Sequence, residues 1–179
     1  MSLPLHLAIG AFDGVHLGHR AVLHSARDAA RADGGIVGVL TYDPHPSKVL
    51  RPESSVPLIF TRAQKDERLT EAGAQLIHHE KFDRNHAGIE AGDFPKWLKQ
   101  TFPQLRSLHV GSNFQYGRGR SGNGDTLIAH ASAEGLGVKL VEAVHLGDET
   151  VSSSRIRQCL ANGDLALANA MLLRPYEAE

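Results

Sequence analysis

Five short β-rich runs alternate with helical stretches along most of this chain, and no other feature of the sequence restricts the fold so strongly. The run at 36–42, Ile-Val-Gly-Val-Leu-Thr-Tyr, is apolar almost without interruption, as a strand in a parallel sheet covered on both faces requires. Before it, Leu5, Leu7 and Ile9 read as a buried strand. They are followed by a helix over 17–32 whose apolar residues Leu17, Ala21, Val22, Ala26, Ala29 and Ala30 recur at helical spacing and stop before Gly34-Gly35. After it, Thr61 caps a charged helix that runs to residue 72 with Gly73 as its stop, and a short strand follows at 75–78. A helix at 90–102 tolerates Pro95 only in its first turn. A strand at 107–110, a helix at 125–134 and a strand at 138–142 complete the series. This order predicts an α/β protein with a doubly wound parallel sheet, whose ligands bind beyond the carboxyl ends of the strands. The loops after Gly10, Tyr42 and Val110 then share one rim. A chain of 179 residues with 41% apolar content suffices for one compact domain spanning 1–179.

The first of those loops carries the sharpest chemical signal. Ile9-Gly10-Ala11-Phe12-Asp13-Gly14-Val15-His16-Leu17-Gly18-His19 runs from an apolar strand through a glycine-rich turn into a helix. Gly10 and Gly14 are expected to supply backbone conformations that side chains hinder. His16 and His19, three residues apart, lie on one face of the first helical turn. Free amides and the positive end of the helix dipole favour an anion there, and both imidazoles can donate hydrogen bonds to it. The same pattern also fits a plain helix start with two exposed histidines. A zinc site lacks a third ligand, because Cys159 is the sole cysteine.

Ser152-Ser153-Ser154-Arg155-Ile156-Arg157 precedes an apolar pattern ending at Asn162-Gly163, so one serine is the expected N-cap. The other hydroxyls and the Arg157 guanidinium can converge on phosphate oxygens, although an ordinary serine cap beside exposed arginines accounts for the segment equally well. Asp43-Pro44-His45-Pro46 is expected to forbid regular structure and to open an extended loop past Pro52 and Pro57. The stretch at 111–123 is too glycine-rich for a helix. In it Asn113, Phe114 and Tyr116 can meet an aromatic ligand and Arg118 or Arg120 a phosphate, while Phe114 alone reads more simply as a residue tucked into the core.

Charge and composition narrow the partners. A formal net charge of −1 and a pI near 6.8 give no global attraction to nucleic acid or acidic membranes, so any anion site is local. One cysteine excludes an internal disulfide framework, no secretory leader is recognisable after Met1, and no apolar run approaches the ~20 residues a membrane span needs. The expectation is a cytoplasmic protein. The other histidines form no metal-ligand pattern.

Four segments in register, Gly10 to His19, Asp43-Pro44-His45-Pro46, Gly111-Ser112-Asn113-Phe114-Gln115-Tyr116-Gly117 and Ser152 to Arg157, resemble the adenylyltransferase domain of bacterial bifunctional riboflavin kinase/FAD synthetases. The resemblance runs from about residue 5 to 176 and implies a Rossmann-like fold of the HIGH-type nucleotidylyltransferases. It implies condensation of FMN with ATP to give FAD and pyrophosphate, with Mg²⁺ held mainly by phosphates and water. By the same resemblance His16 and His19 hold the ATP phosphates and the charge developing at the α-phosphoryl group, and Ser153, Ser154 and Arg157 steady the leaving pyrophosphate. Asn113 lies near the metal or the flavin, and Gly10, Phe12 and Gly18 belong to the nucleotide turn. Pro44, His45 and Pro46, with Gly111 and Phe114, flank the isoalloxazine ring. Asp13 is expected to serve the turn rather than a metal. Ala11 stands where the family usually has Asn, Ser154 where it usually has Thr, and Asn113 fits a position held by Asn or Asp. Family members continue beyond the segment Leu173-Arg174-Pro175-Tyr176 into a riboflavin kinase barrel, for which this chain has no room. Two other readings stay open: a related nucleotidylyltransferase acting on another phosphorylated small molecule, and a non-catalytic flavin or nucleotide-binding module.

Overall fold

The computed structural model describes residues 3–177. Strand β1 (Leu5–Ile9) leads through the glycine turn into helix α1 (Leu17–Asp33), which Gly34 ends in a left-handed conformation, and strand β2 (Ile36–Asp43) follows. Next come a short helix α2 (Pro46–Leu50), helix α3 (Arg62–Glu71), strand β3 (Leu76–Lys81), helices α4 (Arg84–Ala87) and α5 (Phe94–Thr101), and strand β4 (Leu105–Gly111). Helix α6 (Gly124–Ala133) and strand β5 (Gly137–Val141) finish the sheet. A hairpin of β6 (His145–Leu146) and β7 (Glu149–Thr150) then leads to helices α7 (Ser153–Asn162) and α8 (Leu165–Leu172).

The five main strands pair in parallel in the order β3-β2-β1-β4-β5, the doubly wound arrangement expected from the alternation. The order reverses between β1 and β4, so the loops leaving those two strands diverge and open a crevice at their carboxyl ends. Period-two alternation divides the strand residues between the two faces. Leu5, Leu7, Ile9, Leu108 and Val110 pack with Phe94, Leu98 and Leu127 of α5 and α6, whereas Ala8, Val37 and Val39 pack with Val22, Leu23, Ala26 and Leu69 of α1 and α3. A third cluster joins Ile59 and Phe60 to Ile156, Ala168, Met171 and Leu172, tying α7 and α8 to the segment that precedes α3. Among the described residues no helix is long and apolar enough to cross a membrane.

Two local expectations are corrected. The proline segment is not an extended loop throughout: His45 caps α2 by accepting the Ser47 N–H on Nδ1 at 3.2 Å, and Pro46 and Pro52 each begin a short helical turn, where a missing N–H costs nothing. In the glycine turn Gly14 has φ +90°, but Gly10 does not take a left-handed conformation; Phe12 (φ 51°) and Val15 (φ 39°) do. For a β-branched residue such as Val15 this conformation is strained, and its burial holds it there. The β6–β7 hairpin and α8 add elements that the strand-helix alternation does not announce.

Candidate active site

His16 is the N-cap of α1, its Nδ1 accepting the backbone N–H of His19 at 3.4 Å. The amide at that position is therefore already satisfied, so the helix start is not the fully open end expected for an anion. With Nδ1 as acceptor the proton sits on Nε2, leaving a fixed donor. The two rings stack with centroids 3.6 Å apart and 18° between planes. Gly18 makes this possible, since a Cβ there would stand 3.2 Å from His16 Cε1. Burial, reinforced by the charge of Arg157, lowers the His16 pKa to about 4. Burial first, then His16 and Lys65, push His19 well below the ordinary histidine range. Both rings are thus neutral near pH 7. His19 Nδ1 is buried without a hydrogen-bond partner among the described residues, an arrangement costly in a packed interior and suited to a polar ligand.

Asp13 ties the turn to the rest of the site. Its carboxylate accepts the Ile59 N–H at 3.0 Å and the Phe60 N–H at 3.3 Å, and pairs with Arg157 Nη2 at 2.6 Å. Arg157 Nε donates to the Pro57 carbonyl at 2.7 Å, and the Ser153 hydroxyl donates to the Asp13 carbonyl at 2.8 Å. The serine-arginine helix start therefore docks onto the histidine turn as the sequence suggests, but the guanidinium arrives already paired with a carboxylate. Ser152 is the cap that accepts the Arg155 N–H, and Ser154 is exposed in the first turn of α7.

Beside this cluster lies an apolar cavity of about 470 Å³ at the sheet's switch point. Gly10, Ala11, Tyr42, Pro46, Asn113 and Phe114 all line it, which places the loops after β1, β2 and β4 on one rim. Phe114 stacks on Tyr116 at 5.8 Å and packs against the core while facing the cavity, so the two readings of that residue merge. A second cavity of about 40 Å³ is lined by Asp13, Asp43, His45, Arg62 and Lys65, and Ala11 and Tyr42 line both. Burial lowers the pKa of His45. Phe12 does not reach either cavity: it is buried, with its ring 5.1 Å from that of His19, and serves as the floor under the histidine. Neither cavity is lined by His16 or His19, which sit to one side of the apolar space. Pro44 separates the two cavity-lining residues Asp43 and His45, and Gly111 ends β4 just before Asn113.

A family model for FAD synthetase matches residues 3–155. The chain belongs to the FAD synthetase family. It is 34% identical over 172 residues to the bifunctional riboflavin kinase/FMN adenylyltransferase of Bacillus subtilis and 31% identical over 170 residues to that of Escherichia coli, each match covering 95% of this chain and 54% of the relative. The chain thus spans about half the length of the curated relatives it matches. In fold it is similar to a solved structure titled a macrolide-efflux protein from Streptococcus pneumoniae, with a TM-score of 0.87 at 24% identity, over 98% of this chain and 56% of that one.

Several residues that line the two cavities of this FAD synthetase family member carry little signal in the sequence. Tyr42 was visible only as the end of a strand, and Lys65 only as one charge in a charged helix. Phe82, His86 and Ile89, which line the large cavity from α4 and its flanks, carry no motif. The one available signal for them was position, since the loop after a parallel strand returns to the ligand rim.

Proposed function

We propose that this chain transfers the adenylyl group of ATP to the phosphate of FMN, giving FAD and pyrophosphate. The observation that carries this reading is the aromatic-lined cavity of about 470 Å³ directly beside the histidine helix start, room for a flat apolar ring next to groups suited to phosphates. An oxygen of the FMN phosphate attacks the α-phosphorus, the bond to the bridging oxygen of the β-phosphate breaks, and pyrophosphate leaves with that electron pair. The work of the protein is positioning and charge stabilisation. His16 and His19, neutral and preoriented, donate hydrogen bonds where charge accumulates at the α-phosphoryl group. Ser153, Ser154 and Arg157 steady the departing β- and γ-phosphates, and Asp13 fixes the Arg157 fork. Mg²⁺ brought in on ATP would be held chiefly by phosphate oxygens and water, with Asn113 as the protein oxygen closest in role, and would neutralise phosphate charge.

The test is mass spectrometry of the products formed from FMN, ATP and Mg²⁺. FAD and pyrophosphate in equal amounts are expected. No FAD, with ATP binding intact, overturns the reading, and a panel of other phosphorylated acceptors then identifies the true substrate.

A further inference from the structure

The two cavities share two lining residues, Ala11 and Tyr42, and the small one gathers His45, Arg62 and Lys65 beside Asp13 and Asp43. Its two carboxylates are engaged. Asp13 holds two backbone amides and Arg157, and Asp43 Oδ2 pairs with Arg62 Nη1 at 2.9 Å. Lys65 is different. It stands in the second turn of α3, which the Thr61–Gln64 capping box fixes, and its Nζ donates to Thr41 Oγ1 at 3.1 Å; Thr41 in turn donates to the Ala11 carbonyl at 3.0 Å. Among the described residues no carboxylate lies within 4.0 Å of this ammonium. An ammonium carries three donors, and one of them is used on a neutral hydroxyl. Asp13, Asp66 and Asp43 act on this half-buried cation from beyond contact distance, so its remaining donors are left for the oxygens of a ligand. Its field also reaches both His19 and His45, which places it between the histidine pair and the proline segment.

We propose that Lys65 seats the phosphate monoester of the acceptor, the group that attacks ATP. This rests on the FMN reading above. With a flavin ring in the apolar cavity, the ribityl chain would run past the shared residues Ala11 and Tyr42 and bring its phosphate to the small cavity, where Ala11 offers only a methyl group and Lys65 the charge. Burial lowers the Lys65 pKa from its ordinary value, and a bound dianion would reverse that shift.

FMN and riboflavin differ by this phosphate alone, so their binding isolates its seat. Flavin fluorescence titrations without ATP are made on the full chain, on Lys65→Met and on Lys65→Arg, with thermal unfolding of each. The expected result is that the native chain prefers FMN to riboflavin. Lys65→Met loses that preference by about tenfold or more, as removal of a charge-assisted hydrogen bond should, at unchanged riboflavin affinity. Lys65→Arg keeps most of it. Equal affinity of the native chain for the two flavins, an unchanged preference in Lys65→Met, or a parallel loss of both flavins overturns the assignment of Lys65 alone. A native chain that binds neither flavin overturns the FMN reading, and this inference with it.

Discussion

At the scale of single residues, the site is organised by neutral imidazoles and one buried ion pair. Since burial holds His16 and His19 far below the ordinary histidine range, both are neutral near pH 7, and in the proposed reaction they would meet phosphate as hydrogen-bond donors rather than as cations. His16→Ala and His19→Ala should each lower kcat for FAD formation about 10²–10³-fold, the typical cost of one preorganised donor at a developing oxyanion. FMN affinity should change little, because neither ring lines the flavin cavity. Steady-state kinetics beside FMN fluorescence titration checks this, and a loss of FMN binding with kcat preserved refutes the assigned roles. Asp13 acts on a different quantity. Its carboxylate is almost fully buried, and removing it leaves Arg157 and the amides of Ile59 and Phe60 without their acceptor. Asp13→Ala should cost about 3–5 kcal/mol of unfolding free energy, as broken buried ion pairs do. A urea midpoint unchanged from that of the native chain would show the pair to be dispensable.

At the scale of elements, the parallel strands and their helices were legible because each buries a periodic face. The runs at 36–42 and 107–110 became β2 and β4 with small extensions, and α1 ran to Asp33, one residue beyond its expected end. What escaped was short or lacked a period. Residues 165–172, Leu-Ala-Leu-Ala-Asn-Ala-Met-Leu, are apolar nearly all round and give no amphipathic stripe, so α8 does not stand out. The β6 and β7 strands have two residues each, too few to alternate, and only the Gly147-Asp148 pair between them signals the hairpin. The rim was legible too, since the loops after β1, β2 and β4 follow from topology. Lys65 was not, because its partner Thr41 lies on another element. Helix α7 offers a clean test of how an element end supports the site. Ser152 caps it by accepting the Arg155 N–H at 3.2 Å, while the neighbouring Ser153 hydroxyl donates to the Asp13 carbonyl. Ser152→Ala should lower stability by about 1 kcal/mol, the usual worth of a serine N-cap. Denaturant unfolding measures it, and a change within error would mean the Asp13–Arg157 pair alone holds the helix start.

At the scale of the whole molecule, a polar chain crosses the apolar layer between α1 and the sheet, on the helix-facing side of β1 and β4. Asp33 and Ser107 both bond His6, at 3.0 and 2.7 Å; Ser107 bonds His109 Nε2 at 2.8 Å, and Ser25 bonds His109 Nδ1 at 2.8 Å. Its five side chains tie the middle and the end of α1 to two strands, and so help fix the helix whose start carries His16 and His19. The chain depends on pH. Burial, with smaller contributions from His6 and Lys139, lowers the His109 pKa from 6.5 to about 4. Between those values the unfolded chain binds a proton that the folded chain refuses, so stability falls as pH falls through this window and is fully present above it. For one histidine shifted by this amount the loss between pH 7 and 4.5 is about 2–3 kcal/mol. His16, lowered equally, adds to it, and titrating carboxylates act in both proteins alike. The comparison that isolates His109 is therefore a difference of differences: urea unfolding of the native chain and of His109→Gln, each at pH 7 and pH 4.5. The variant is expected to be less stable at pH 7, having lost part of the hydrogen-bonded chain, and to lose about 2–3 kcal/mol less than the native chain on acidification. Equal losses in the two proteins would mean that His109 takes up its proton without opening the contact between α1 and the sheet.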